Sequence, residues 1–281
     1  MMRLVRYTDG SGPAWAIEAD ERIHVLAALP EGSPDHTDLT NECYINRLRD
    51  AVQADALPTA DSDRISRLAP VPRPGKIVCA GLNYRDHAEE QDEEIPEEPL
   101  LFAKAPTTVT NPGSPIIHPE GESVDYEVEL GVVVGRTAKD LDESEVYAHI
   151  AGYTVLNDVS GRDAQMGDGQ FFRGKSYDTF SPMGPALVTG EDFDPSSVDV
   201  TLRVDGTTKQ SSNTRQFIFG VPELVSYISQ NMTLRPGDVV STGTPGGVGI
   251  FRDPPDLLEP GQVCEAEIEG IGTLRNPVVQ A

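Results

Sequence analysis

The sequence predicts an α+β fold in which strands dominate, on three observations. Short apolar and β-branched runs recur over most of the 281 residues, glycine- and proline-bearing turns separate them at regular intervals, and helical periodicity is confined to a few short stretches. There is no internal repeat and no βαβ alternation, so the sheets are expected to be antiparallel or mixed.

In chain order, residues 2–6 and 14–18 read as strands around the turn Asp9-Gly10-Ser11-Gly12. A third apolar run, 23–29, stops at Pro30, and 41–55 reads as a helix. The proline-dense run 69–75 reads as a linker, because a residue before proline favours extended backbone. It separates a small N-terminal domain, 1–70, from a main domain, 71–281. In the main domain 77–80, 124–134, 152–158, 186–188, 198–204, 239–241 and 264–268 are expected strands. Helices are expected over 83–91, 143–148 and 222–230, the last opened by Pro222 with Glu223 behind it.

Composition narrows the function classes. Forty-six acidic residues face 22 basic ones, a net charge of −24. Phosphate contacts need Lys and Arg, so nucleic acid and anionic membranes are poor partners. No stretch approaches the ~18 apolar residues of a spanning helix, and the N-terminus lacks the apolar run of a signal peptide, so a cytoplasmic protein is expected. Cys43, Cys79 and Cys264 are odd in number and far apart, which fits reduced thiols. Dense carboxylates and only five lysines fit the surface of a halophile, because high salt screens like-charge repulsion.

Three segments carry candidate chemistry. In 124–134 the residues Val128, Leu130, Val132 and Val134 form one apolar row, and Glu127 and Glu129 project together from the other face, ~6.6 Å apart along the strand. The pair is either a solvated acidic face or half of a cation site. Asp158, at the end of the run 152–158, is placed to complete an all-oxygen trio that suits Mg²⁺, or Mn²⁺ or Ca²⁺, better than zinc. Arg162 and Gln165 follow it; Arg162 can fork onto a bound carboxylate or pair with one of the many acids. In the third segment His87 and Glu90, three apart on a helical turn, either form a base able to deprotonate water or belong to a solvated acidic helix. Lys104 and Lys175 sit in apolar, glycine-bearing contexts unlike those of surface lysines, and the glycine-rich loop 241–249 offers Thr244 and backbone N–H groups to a small anion. G-x-S-x-G and H-E-x-x-H are absent, which removes the usual serine-hydrolase and zincin routes.

Taken in order, Gly81-Leu-Asn-Tyr-Arg-Asp-His87, Asp125-Tyr-Glu-Val-Glu-Leu-Gly131, Asn157-Asp-Val-Ser-Gly-Arg-Asp163, Lys175-Ser-Tyr-Asp-Thr-Phe-Ser-Pro-Met-Gly184 and Thr242-Gly-Thr-Pro-Gly-Gly-Val-Gly249 resemble the fumarylacetoacetate hydrolase family, from about residue 75 onward. The resemblance implies a mixed β-roll of the family's C-terminal domain type behind a small variable N-terminal domain, and a homodimer. It implies Mg²⁺ or Mn²⁺ held by Glu127, Glu129 and Asp158, and water activated by His87 and Glu90 on a mobile lid. Lys175 would then act in catalysis, and Lys104, Arg162, Gln165 and Thr244 would bind substrate. Asn83 stands where larger relatives carry a further metal-proximal Asp, which points to the small three-ligand branch. The expected substrate is a small 2-oxo carboxylate whose chelation favours an enolate. The leading expectation is C–C hydrolysis of an acylpyruvate-like 2,4-dioxo acid. Oxaloacetate decarboxylation and isomerisation of a 2-hydroxy-dienedioate use the same parts, and a non-catalytic cation-binding protein is the remaining alternative.

Overall fold

The computed structural model describes residues 2–20, 22–26 and 34–281. Among these, twelve strands share one large sheet. Its main path runs Thr59–Ala60, Arg22–Val25, Pro13–Ala19, Arg3–Thr8, Ser181–Thr189, Ile150–Asn157, Val128–Val134, Val239–Ser241, Ile77–Gly81 and Leu100–Lys104. A second sheet of five runs Thr207–Asn213, Asp199–Val204, Val263–Ile268, Gly272–Gln280 and Ile116–His118. Most pairs are antiparallel, but Val239–Ser241 runs parallel to Ile77–Gly81 and Gly272–Gln280 parallel to Ile116–His118, so both sheets are mixed. No helix among the described residues is long and apolar enough to cross a membrane.

The strand Val128–Val134 shows why the sheets pack as they do. Val128, Leu130, Val132 and Val134 enter a core shared with Val200, Leu202, Ala266 and Ile268 of the smaller sheet and Leu224, Val225 and Ile228 of the helix Val221–Asn231. Val133 faces the other way, into a core with Leu4, Ile17, Ile45, Leu48, Leu156 and Leu187. A strand buried on both faces needs an almost unbroken apolar run, and this one has it. The face carrying Glu127 and Glu129 is therefore buried, not solvated.

The alternating run is also not one strand. Val124–Asp125 leaves the large sheet to pair with Ser160–Gly161. At the break the Glu127 amide donates to the Asn157 side chain at 3.0 Å.

At the N-terminal end Arg3–Thr8 pairs with both Pro13–Ala19 and Ser181–Thr189, so the first strands extend the same large sheet. The helix Glu42–Gln53 starts where Asn41 accepts hydrogen bonds from the Cys43 and Tyr44 amides. The third expected strand is present as Arg22–Val25, and the remainder of that expectation, 27–29 with the stop at Pro30, lies outside the described residues. All three cysteines are free thiols.

Candidate active site

Strand register assembles the carboxylates. Val128 pairs with Asn157 and Glu129 with Leu156, and the Asp158 amide donates to the Glu127 carbonyl at 2.8 Å. Glu127, Glu129 and Asp158 are thereby brought together, each offering an oxygen within 4.8 Å of the other two, and all three are buried. Three carboxylate oxygens with no nitrogen or sulfur donor fit a hard divalent ion that keeps open positions.

Each carboxylate is fixed from behind. Glu129 Oε2 accepts from Ser241 Oγ at 2.5 Å and from the Gly243 amide at 2.9 Å. Gly243 is at φ +92°, where a Cβ would lie 2.8 Å from Asn83 Cβ, so only glycine aims that N–H. Asp158 accepts from Lys104 at 2.5 Å and from Lys175 at 3.0 Å; Lys175 also donates to Glu127 at 2.7 Å.

Burial and neighbours push the acids apart. Burial alone would raise Glu127, but Lys175 and Arg162 hold it ionised, with a pKa of about 2. Glu129 is pushed up to about 8, by burial and then by Asp158 and Glu127. Burial draws Lys175 down, but Asp158 and Glu127 leave it raised, whereas burial prevails at Lys104 and lowers it.

Arg162 was expected either to fork onto a bound carboxylate or to pair with an acid, and four of its five N–H groups are spent within the protein. Nε and Nη2 donate to Asp125 Oδ2 at 2.9 and 2.8 Å, Nη2 also donates to Glu127, and Nη1 donates to Gln165 Oε1 at 2.9 Å. Asp125 is the residue that sequence reasoning missed. Besides Arg162 it accepts from the Gly249 and Ile250 amides at 2.8 and 3.0 Å, tying the glycine-rich loop to the site. Its place at the head of Asp125-Tyr-Glu-Val-Glu was the available signal, because Arg162, Gly249 and Ile250 lie 37 to 125 residues away.

His87 and Glu90 sit on the helix Arg85–Glu90 with Nδ1 and Oε2 at 3.2 Å. Both Glu90 oxygens accept from the Gly247 amide, at 2.9 and 3.0 Å, and Asp86 accepts from the Gly246 amide and the Ser212 hydroxyl. Burial raises the Glu90 carboxyl, but His87 and Gly247 outweigh it and keep the pKa below the usual range. The loop amides expected to greet a small anion are thus occupied by the protein's own carboxylates, and the expected lid helix is docked. The Thr244 hydroxyl donates to the Val128 carbonyl at 3.0 Å and accepts from Gln210.

A cavity of about 340 Å³ unites these groups. His87, Glu127, Glu129, Arg162, Gln165, Lys175 and Thr244 form its polar wall, and Leu82, Leu100, Phe102, Phe171 and Phe251 an apolar one. Glu90, Asp158 and Lys104 stand behind the wall. Lys104, whose side chain is 0% exposed, meets Asp158 and the Val159 carbonyl and is not part of the cavity wall.

The fumarylacetoacetate (FAA) hydrolase C-terminal family matches residues 76–279. Over 230 residues the chain is 46% identical to the mitochondrial oxaloacetate tautomerase FAHD2A of Bos taurus, covering 80% of this chain and 73% of that protein. Fumarylacetoacetate hydrolase from Exiguobacterium antarcticum superposes with a TM-score of 0.88 at 34% identity, covering 100% of both chains. The 2-hydroxyhepta-2,4-diene-1,7-dioate isomerase of Mycobacterium marinum does so with a TM-score of 0.80 at 35% identity, covering 100% of this chain and 99% of that one.

Proposed function

This chain belongs to the fumarylacetoacetate hydrolase family, and from that premise we propose that it is a divalent-cation-dependent isomerase of small 2-oxo dicarboxylic acids, moving a proton between carbon and oxygen, with oxaloacetate as the first substrate to test. The observation that carries the reading is the joint presence, in one cavity wall, of the carboxylate trio's Glu127 and Glu129 and the imidazole of His87. A base and a cation site sharing one small pocket suit proton removal beside a carbonyl.

Glu127, Glu129 and Asp158 would hold the cation, which when bound supplies Lewis acidity to a 2-oxo carboxylate and makes the neighbouring C–H acidic. The protein's own groups do the rest. Ionised Glu90 accepts a hydrogen bond from the Nδ1–H of His87, which leaves the lone pair of Nε2 for the C–H proton. Lys175, in the cavity wall against Glu127, sets a positive charge where negative charge develops on the substrate oxygen. One proton leaves carbon and one arrives at oxygen, so the reaction needs no co-reactant. The single N–H of Arg162 Nη1 left after its bond to Gln165 remains to orient a substrate carboxylate, while the Thr244 hydroxyl, its proton already given to the Val128 carbonyl, shapes the cavity wall. Phe102, Phe171 and Phe251 limit water at the reacting carbon.

Hydrolysis of an acylpyruvate, the leading sequence-based expectation, is the second reading. The apolar wall favours it, because Leu82, Leu100 and the three phenylalanines suit an acyl tail that oxaloacetate lacks. Both substrates are to be followed by ultraviolet loss of the enol, with Mg²⁺ and with chelator. Cation-dependent loss of the oxaloacetate enol without release of pyruvate or carbon dioxide supports the isomerase. Turnover of the acylpyruvate alone supports hydrolysis, and turnover of neither refutes the reading.

A further inference from the structure

Away from the active site, a cleft of about 410 Å³ is lined by Arg3, Arg67, Pro112, Gly113, Pro185, Thr273 and Arg275. We propose that this cleft binds a small dianionic oxyanion, of the charge and size of phosphate or a short dicarboxylate, and that the bound anion ties the N-terminal strands to the C-terminal sheet.

The charge of the walls is the first argument. In a chain of net charge −24, three arginines converge on one concavity whose walls contain no carboxylate. The active-site cavity has Glu93, Glu127 and Glu129 in its walls, and the clefts beside Asp199 and Asp192 each have an acid. Behind the walls only partial compensation exists. Glu18 is shared, meeting Arg3 at 3.1 Å and Arg67 at 2.6 Å, and among the described residues Arg275 pairs with Glu265 alone, at 3.3 Å. Three cations against two acids leave a surplus positive charge. At ~0.1 M salt the Debye length is ~10 Å, so this local surplus is felt while the distant acids are screened.

The packing is the second argument. Arg3 and Arg67 come from the N-terminal strands, and Thr273 and Arg275 from the strand Gly272–Gln280. Gly272, at φ +115°, takes a backbone conformation that favours glycine and leaves room for the Arg3 guanidinium, whose Nη2 would lie 2.8 Å from a Cβ there. Arg3 Nε is buried with no hydrogen-bond partner, a donor that a small shift of the guanidinium would turn to an acceptor. Pro112, Gly113 and Pro185 give the cleft short, rigid edges between the three guanidinium groups, which suits a compact anion.

The test is thermal unfolding and calorimetry with inorganic phosphate and, separately, malonate, at fixed ionic strength held with sodium chloride. The Arg275→Gln variant removes a cation whose side chain is 63% exposed, so the fold is retained and turnover at the active site is unchanged. A saturable rise in Tm with phosphate or malonate, and an affinity at least about tenfold weaker in Arg275→Gln and Arg67→Gln, is the expected result. Preference for one of the two anions assigns the ligand class. An equal rise with chloride alone, or a rise undiminished in Arg275→Gln, overturns the proposal, and neither outcome bears on the catalytic reading.

Discussion

Cation binding to this chain should release a proton, and the source is Glu129. In the metal-free protein its carboxyl is pushed up to about 8 by burial and by Asp158 and Glu127, whereas an ion requires the carboxylate. The trio titrates as a unit, so the proton belongs to the cluster even though Glu129 is where it mostly resides. At pH 6 about one molecule in 100 has this group ionised, and at pH 8 about half do. The apparent Kd for Mg²⁺ or Mn²⁺ should therefore tighten by about 50-fold between those pH values, nearly tenfold per unit at the acid end. Titration calorimetry in two buffers of different ionisation heat measures the proton directly: about one released per ion at pH 6 and about one half at pH 8. Stability follows with its sign fixed. The Glu129 pKa is raised above its usual 4.5, so its contribution to the metal-free fold is complete below about 4.5 and is lost as the pH climbs through about 8. Glu127 runs oppositely: depressed to about 2, its contribution is complete above about 4.5 and lost as pH falls through about 2. Glu129→Gln should abolish the proton release. A Kd unchanged between pH 6 and 8, with no buffer-dependent heat, would refute the reasoning.

Three further outcomes are expected. Lys104→Met removes the ammonium that holds the buried Asp158 carboxylate at 2.5 Å, so the third oxygen of the cation site loses the contact that positions it and the cation affinity at pH 7 falls about tenfold, read by the same calorimetry. His87→Asn should lower kcat by about 10²–10⁴ while leaving the cation Kd within about twofold, and rescue of neither by higher pH separates it from the Glu129 effect. The surplus of acids predicts that Tm rises when sodium chloride goes from about 0.1 to 2 M; a flat or falling Tm would count against a surface adapted to salt.

The ligand trio was legible because its signal is local. Glu127 and Glu129 are two apart on one face, which strand periodicity shows, and Asp158 ends a strand-like run, which the register Val128–Asn157 then sets beside them. What periodicity cannot carry is the break at Tyr126–Glu127, which depends on Val124–Asp125 finding Ser160–Gly161 across the fold. The same holds for Lys104 and Arg162. Their residue types announced ionic work, but whether the partner is a substrate or Asp158 and Asp125 is decided by tertiary packing. The strands Thr207–Asn213 and Gly272–Gln280 escaped notice because polar residues dominate the first and face solvent along much of the second. The helices Arg162–Asp168 and Phe172–Lys175 are too short for a 3.6-residue period to emerge. The second is set by contact: a Cβ on Gly174 would lie 2.5 Å from the Gly161 carbonyl, so glycine allows the close approach that brings Lys175 to Asp158.

The ionic balance of the cluster bears on how so acidic a chain would hold the acidic substrate proposed for it. Four buried carboxylates, Asp125, Glu127, Glu129 and Asp158, face three buried cations, Lys104, Lys175 and Arg162. Fully ionised, the cluster would hold one uncompensated negative charge in a place shielded from water, which is costly, and a proton on Glu129 removes it. A divalent ion that replaces this proton reverses the surplus to one positive charge. That charge appears only with the ion and lies against the cavity wall formed by Glu127, Glu129 and Lys175. The group that offsets it best is a single carboxylate beside a 2-oxo oxygen, able to meet the ion at two points. In the proposed reaction the ion thus has an electrostatic task that precedes any chemistry: without it the neutral cluster offers an acid no net charge, and with it a wall built of carboxylates becomes the place where an acid would be held.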